Sequence, residues 1–105
     1  MTIPHEDVIK EELLLFLVQQ PGFSALASDA YQELAVLHPE LTERELHDRY
    51  RNSVSQWANS VQFARERLAE EGLVYRPGSN SQAPRGRWML TPRGVRRARE
   101  LLDQA

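Results

Sequence analysis

Apolar residues recur along most of this chain with the period of a helix, and near its end the pattern shortens to that of strands. Ile9, Leu13, Phe16 and Leu17 share one side of a helix over residues 6–20, which Pro21-Gly22 stops. Leu14, Leu15 and Val18 widen its apolar surface, so this helix is either deeply buried or partly a docking face. Leu26, Ala30, Leu34 and Leu37 define a second amphipathic helix over 26–37, ended by His38-Pro39. Thr42-Glu43-Arg44-Glu45 has the form of a capping box, in which the Thr hydroxyl and the Glu carboxylate satisfy opposite backbone donors. A third helix over 43–51 follows from it, carrying Leu46 and Tyr50. Beyond the polar Arg51-Asn52-Ser53, residues 55–71 predict the longest helix, with Trp57, Val61, Ala64 and Leu68 as its buried stripe. Gly72 is placed to end it in the left-handed conformation, with Leu73 as the accompanying hydrophobic contact.

Leu73-Val74-Tyr75-Arg76 and Arg87-Trp88-Met89-Leu90-Thr91 are strand candidates. The stretch between them, Pro77 to Gly86, is rich in turn formers, so residues 73–91 predict a hairpin with a long loop. Thr91-Pro92 supplies a cap and a first-turn proline for a last helix over 92–103, with Val95, Ala98 and Leu102 as its stripe. The expected fold is mainly α with a small β-hairpin. Helices followed by a hairpin is the order of a winged helix-turn-helix, whose second helix enters the major groove while the wing reaches phosphates or the minor groove.

Composition sharpens this picture. The 105 residues suit a single domain. The longest apolar run, Leu13 to Val18, is far short of a membrane span, and the N-terminus lacks the basic start of a signal peptide. No cysteine is present, which excludes disulfides and thiolate metal sites and suits a reducing, cytoplasmic setting. The net charge of −2 conceals a split: residues 1–50 carry ten acids and three bases, residues 51–105 five acids and ten bases. Between Arg76 and Arg99 there are seven arginines and no acid. Such asymmetry fits either a surface for a polyanion or a solvated basic face.

Asn59-Ser60-Val61-Gln62-Phe63-Ala64-Arg65, Leu68, Gly72-Leu73-Val74 and Gly86-Arg87-Trp88-Met89-Leu90-Thr91-Pro92-Arg93-Gly94 together resemble the N-terminal winged-helix domain of Mrr-type restriction proteins. The resemblance extends over about Ile9 to Leu102 and is tight from Asn59 onward. It implies recognition of double-stranded DNA, often methylated, ahead of a separate nuclease domain. Two departures stand out: the hairpin loop is long, and the length leaves no room for that nuclease. Arg65 is carried over from the family motif.

The residues themselves point the same way. Opposite the buried stripe of helix 55–71 lie Ser55, Asn59 and Gln62, with Gln56, Ser60 and Phe63 on one shoulder. Asn and Gln pair bidentately with adenine in the major groove, and Ser reaches phosphates or bases. Phe63 is expected beneath the wing, in preference to insertion between bases. Arg76, Arg85 and Arg87 lie on or beside the hairpin loop, suited either to phosphates or to blocking strand pairing at an exposed edge. Arg65 sits on a flank of its helix, where it can brace a neighbour. Arg93, Arg96, Arg97 and Arg99 crowd the last helix, where Arg96 can pair with Glu100 four residues on. Trp57 and Trp88 read as core, and line a methyl-base pocket only if one of them is exposed.

No catalytic constellation is legible, so the chain reads as non-enzymatic, including as the non-catalytic domain of a restriction endonuclease. His5, His38 and His47 lack metal-ligand spacing and read as surface or cap residues, so no metal or other cofactor is expected. The only lysine, Lys10, stands in the first helix, away from any nuclease carboxylate motif. Two functions remain. The first is a DNA-binding winged-helix module that reads the target within a restriction-type system, with the sensing of a modified base left open. The alternative is a winged helix for protein interaction or dimerisation without DNA binding, using the acidic first half with Leu14, Leu15 and Val18. A homodimer is compatible with both.

Overall fold

Helix α1 (Glu6–Val18) starts where the His5 ring nitrogen accepts the Asp7 amide at 3.1 Å, and it buries Ile9, Leu13, Leu14 and Leu17. The computed structural model describes residues 3–47, 49–50, 54–79, 83 and 86–104. Five helices and two short antiparallel strand pairs make up this mainly helical set. Pro21-Gly22 ends the first helical segment through a single tight turn, with Gly22 at φ +66 and Phe23 at φ +57. The chain then enters an unexpected strand, β1 (Ser24–Leu26), before helix α2 (Ala27–Val36). The predicted second helix is therefore shorter. Leu26 and Leu37, expected in its buried stripe, are exposed, whereas Ala30 and Leu34 are buried. Sheet pairing takes Leu26 out of the helix, and α2 ends one residue before Leu37.

The capping box forms as anticipated. The Glu45 amide donates to the Thr42 hydroxyl at 3.1 Å, and the Glu45 carboxylate accepts the Thr42 amide at 2.9 Å. Helix α3 (Glu43–His47) is nevertheless shorter than residues 43–51. Arg49 and Tyr50 form strand β2, paired with β3 (Val54–Ser55). Helix α4 (Gln56–Glu70) carries the predicted stripe, and Trp57, Val61, Ala64 and Leu68 are all buried. Its end is a complete Schellman motif. Gly72, at φ +77, donates to the Ala69 carbonyl at 3.0 Å, and Leu73 donates to that of Leu68 at 2.9 Å.

The strand after α4 is where expectation and structure differ most. Strand β4 (Arg87–Met89) pairs antiparallel with β1, in the register Ser24–Met89, Ala25–Trp88 and Leu26–Arg87. The predicted hairpin partner, residues 73–76, contributes one bridge, Val74–Leu90. Around that bridge the Tyr75 amide donates to Met89 and the Thr91 amide to Leu73. The order across this layer is thus 24–26, 87–90, 73–75. Ala25 and Trp88 face the core, and Arg87 lies on the other face of the sheet.

Helix α5 (Pro92–Asp103) is capped by Thr91, whose hydroxyl accepts the Gly94 amide at 3.0 Å and donates to the Gly72 carbonyl at 2.7 Å. Val95 and Ala98 are buried as predicted, but Leu102 is exposed. Helix α1 is central, packing against both α4 and α5. Among the described residues, no helix is long and apolar enough to cross a membrane.

Candidate functional site

Tyr31, on α2, organises the predicted site although its sequence position falls on no apolar stripe. Its carbonyl accepts the indole N–H of Trp57 at 2.8 Å. Its hydroxyl accepts the side-chain amide of Gln62 at 2.7 Å. Its ring meets Trp88 edge-to-face, with centroids 5.6 Å apart and planes at 77°. The Arg65 guanidinium stacks 5.8 Å from the centre of the Trp88 ring. One aromatic cluster therefore ties α4 to α2 and to the middle of the sheet, which fixes the rotation of α4 about its own axis.

That rotation sorts the candidate residues of α4. Ser55 is the N-cap, its hydroxyl accepting the Ala58 amide at 3.0 Å. Ser60 donates back to the Gln56 carbonyl at 3.1 Å. Gln62 is held by Tyr31, and Arg65 is half-buried, with its Nε unpaired beside Trp88. Gln56 is exposed and Asn59 partly so, which leaves these two as the uncharged polar groups facing outward on the first half of the helix. Further along the same exposed side stand Glu66 and Glu70. Arg67 joins Glu70 at 3.2 Å and Glu6 of α1 at 3.7 Å; the hydrogen bond and charge of Glu70, then that of Glu6, raise the guanidinium pKa above its usual value.

Phe63 does not lie beneath the loop. It is 52% exposed on the opposite shoulder, beside Pro4, Glu6, Ile9 and Ser60 at the start of α1. The helical angle between Phe63 and the Tyr31-facing side of α4 is too large for one residue to reach both.

The arginines of the loop separate likewise. Arg76 is exposed where the loop leaves the Val74–Leu90 bridge. Arg87 is half-buried, and its guanidinium donates to the Ser24 hydroxyl at 3.0 Å, diagonally across the β1–β4 pair. Arg85 lies outside the described residues. The base of the loop is fixed on both sides: the Ala27 amide donates to Gly86 at 2.8 Å, and Ala83 is buried. Sequence reasoning missed Ser24, which acts across the unforeseen β1–β4 pairing, and Tyr31, whose partners Trp57, Gln62 and Trp88 are brought to it by folding from at least 26 residues along the chain.

Both tryptophans are buried, so neither offers an exposed wall for a flipped or methylated base. Of the histidines, His5 caps α1 and His47 is exposed beside Glu43. His38 is not a surface residue: its ring lies against Trp57 and its nitrogens face Glu12 at 2.7 Å and Glu40 at 3.2 Å. Among the described residues, no three His, Asp or Glu side chains are grouped to hold a metal. On α5 it is Arg97, not Arg96, that meets Glu100, at 3.3 Å. Arg99 approaches the Phe23 ring at 6.0 Å. Comparison with models of known families, with curated proteins and with solved structures finds no match to this chain.

Proposed function

We propose that this chain is a winged-helix DNA-binding domain, with α4 as the recognition helix and residues 76–86 as the wing. The observation that carries the reading is the aromatic cluster around Tyr31. It locks α4 against the sheet so that Gln56 and Asn59 point outward while the arginine-bearing loop springs from the same sheet. The first half of a recognition helix is the part that contacts base edges. Here that half carries uncharged amides, and acids appear only farther along. The layer order 24–26, 87–90, 73–75 supports the same reading, since it makes 73–75 and 87–90 antiparallel neighbours, so that the segment joining them leaves from one end of a small sheet as a wing does.

The resemblance to Mrr-type restriction proteins extends the proposal to a target-reading role in a restriction-type system, with preference for a modified base resting on that resemblance alone. Fluorescence anisotropy with short labelled duplexes, methylated and unmethylated, tests both parts. Binding that weakens steeply with added salt is the expected result. Absence of binding at low salt, or binding insensitive to salt, rejects the DNA reading; equal affinity for the two duplexes rejects the modified-base part only.

The docking alternative keeps one supporting observation, a groove beside the surface it was expected to use. Leu14 is buried and Val18 packs partly on the core, which removes much of the predicted docking surface. A groove of about 250 Å³ remains between α1 and α2, lined by Leu15, Phe16, Leu34 and Leu37, and Leu37 is 56% exposed. A concentration-dependent dimer in sedimentation velocity, lost in Leu15→Glu or Leu37→Glu, is the result that this reading requires.

A further inference from the structure

The turn that closes α4 and the outer face of α5 flank an open concavity of about 440 Å³, lined by Glu71, Leu73, Arg93, Arg96, Arg97 and Glu100. Arg93, Arg96, Arg97 and Glu100 are spaced to share one face of α5, away from buried Gly94, Val95 and Ala98. Three guanidiniums thus meet two carboxylates, and both carboxylates are already engaged. Glu100 pairs with Arg97 at 3.3 Å, and Glu71 pairs with the ammonium of Lys10 on α1. Among the described residues, Arg93 and Arg96 have no acidic partner within ion-pair distance. Arg93 is exposed, and its Nη1 lies 3.6 Å from the position a Cβ would take on Gly72, so the guanidinium leans over the turn that closes α4.

We propose that this concavity binds a phosphoryl anion, with Arg93 and Arg96 as the principal donors and Arg97 shared with Glu100. Guanidinium forks match the oxygens of phosphate groups and hold them by charge-assisted bonds, most strongly when two converge on one anion. Lys10 cancels the charge of Glu71, so the carboxylate nearest the turn does not repel the ligand. The concavity lies at the end of α4 opposite Gln56 and Asn59, about 20 Å along a helix of this length. It is a separate site and does not depend on the DNA reading. The phosphoryl group belongs either to a free polyphosphate or to the backbone of a nucleic acid.

Titration of the full ¹⁵N-labelled chain with sodium pyrophosphate, against sodium chloride at matched ionic strength, tests the site. The expected result is saturable shifts at the Arg93 and Arg96 Nε–H signals and at the Gly72 and Leu73 amides. Affinity should fall at least tenfold in the double variant Arg93→Gln, Arg96→Gln. Shifts no different from those in chloride, or unchanged in the variant, overturn the proposal. Arg96 is exposed, so Arg96→Gln alone decides the matter should the double variant lose its fold by circular dichroism. Competition identifies the source. Displacement of a labelled duplex by pyrophosphate, with duplex affinity reduced in Arg96→Gln, supports a nucleic-acid backbone; pyrophosphate binding that leaves the duplex undisturbed supports a free polyphosphate.

Discussion

Gly94 lies so close to the carbonyl of Leu73 that no side chain fits between them. A Cβ on Gly94 would stand 2.9 Å from the Leu73 carbonyl carbon, closer still to its oxygen, and 3.2 Å from the Leu90 side chain. The Leu73 carbonyl cannot withdraw, because it accepts the Thr91 amide at 3.1 Å. The start of α5, the end of α4 and the last strand therefore share one rigid junction.

Gly94→Ala tests that junction by the sign of its effect. Helix propensity alone favours Ala over Gly by about 1 kcal/mol. The clash with backbone acts the other way and, as overpacking, costs about 1–3 kcal/mol or more. The variant is expected to melt on the order of 10 °C lower, at roughly 4–8 °C per kcal/mol for a domain of this size. A thermal melt showing equal or greater stability contradicts the close approach.

Thr91 joins the same junction through its hydroxyl, which caps α5 and bonds the Gly72 carbonyl. Thr91→Ala is expected to lose about 1–2 kcal/mol, the cost of a missing N-cap together with an unpaired carbonyl. Thr91→Ser should retain most of that stability, since it keeps the oxygen. Urea denaturation of the two variants checks the difference, and equal losses in both assign the effect to the methyl group instead.

Gln62 and Tyr31 form a pair whose coupling is measurable. Tyr31→Phe and Gln62→Met, singly and together, are expected to give a coupling energy of about 0.5–1.5 kcal/mol in a double-mutant cycle of unfolding. Additive effects mean that the 2.7 Å bond contributes nothing in solution.

Asn59, whose amide faces outward, should behave differently from Gln62 toward DNA. Under the DNA reading, Asn59→Ala narrows the gap between preferred and scrambled duplexes by about 1–3 kcal/mol at one base position and leaves stability nearly unchanged. Gln62→Met chiefly lowers stability. Anisotropy against a panel of duplexes separates the two, and an unchanged panel for Asn59→Ala removes it from base reading.

Under the same DNA reading, Arg76 should act on all duplexes alike. Arg76→Ala is expected to weaken binding uniformly and to reduce the slope of log affinity against log salt by about 0.9 for one lost phosphate contact. Arg87→Ala should do the same and also lower stability, because its guanidinium is tied to Ser24. A sequence-dependent loss for Arg76→Ala, or none, displaces the wing from the interface.

Much of this architecture is local and therefore legible along the chain. The stripe from Trp57 to Leu68, the glycine stop at Gly72, the Thr42–Glu45 box and the Thr91 cap each depend on residues within one or two turns of one another, and all four form. The short helices were less legible. Leu26 and Tyr50 fit the helical pattern, yet each lies in a strand paired with another segment, and that pairing outweighs a weak local preference.

The candidate site divides along the same line. Residue type and spacing marked Ser55, Gln56, Asn59, Ser60, Gln62, Arg76, Arg85 and Arg87, and the family resemblance implied Arg65, but neither could tell an outward amide from one already bonded. Tyr31 and Ser24 make that distinction from 31 and 63 residues away, in their bonds to Gln62 and Arg87. Caps and stripes are short-range, so the chain alone set the bounds of the long helices α1, α4 and α5 to within a residue or two, but not the end of α3. Only the tertiary structure decided which strand β4 joins, which polar side chains remain free and why position 94 must be glycine, because each depends on groups brought together by folding alone.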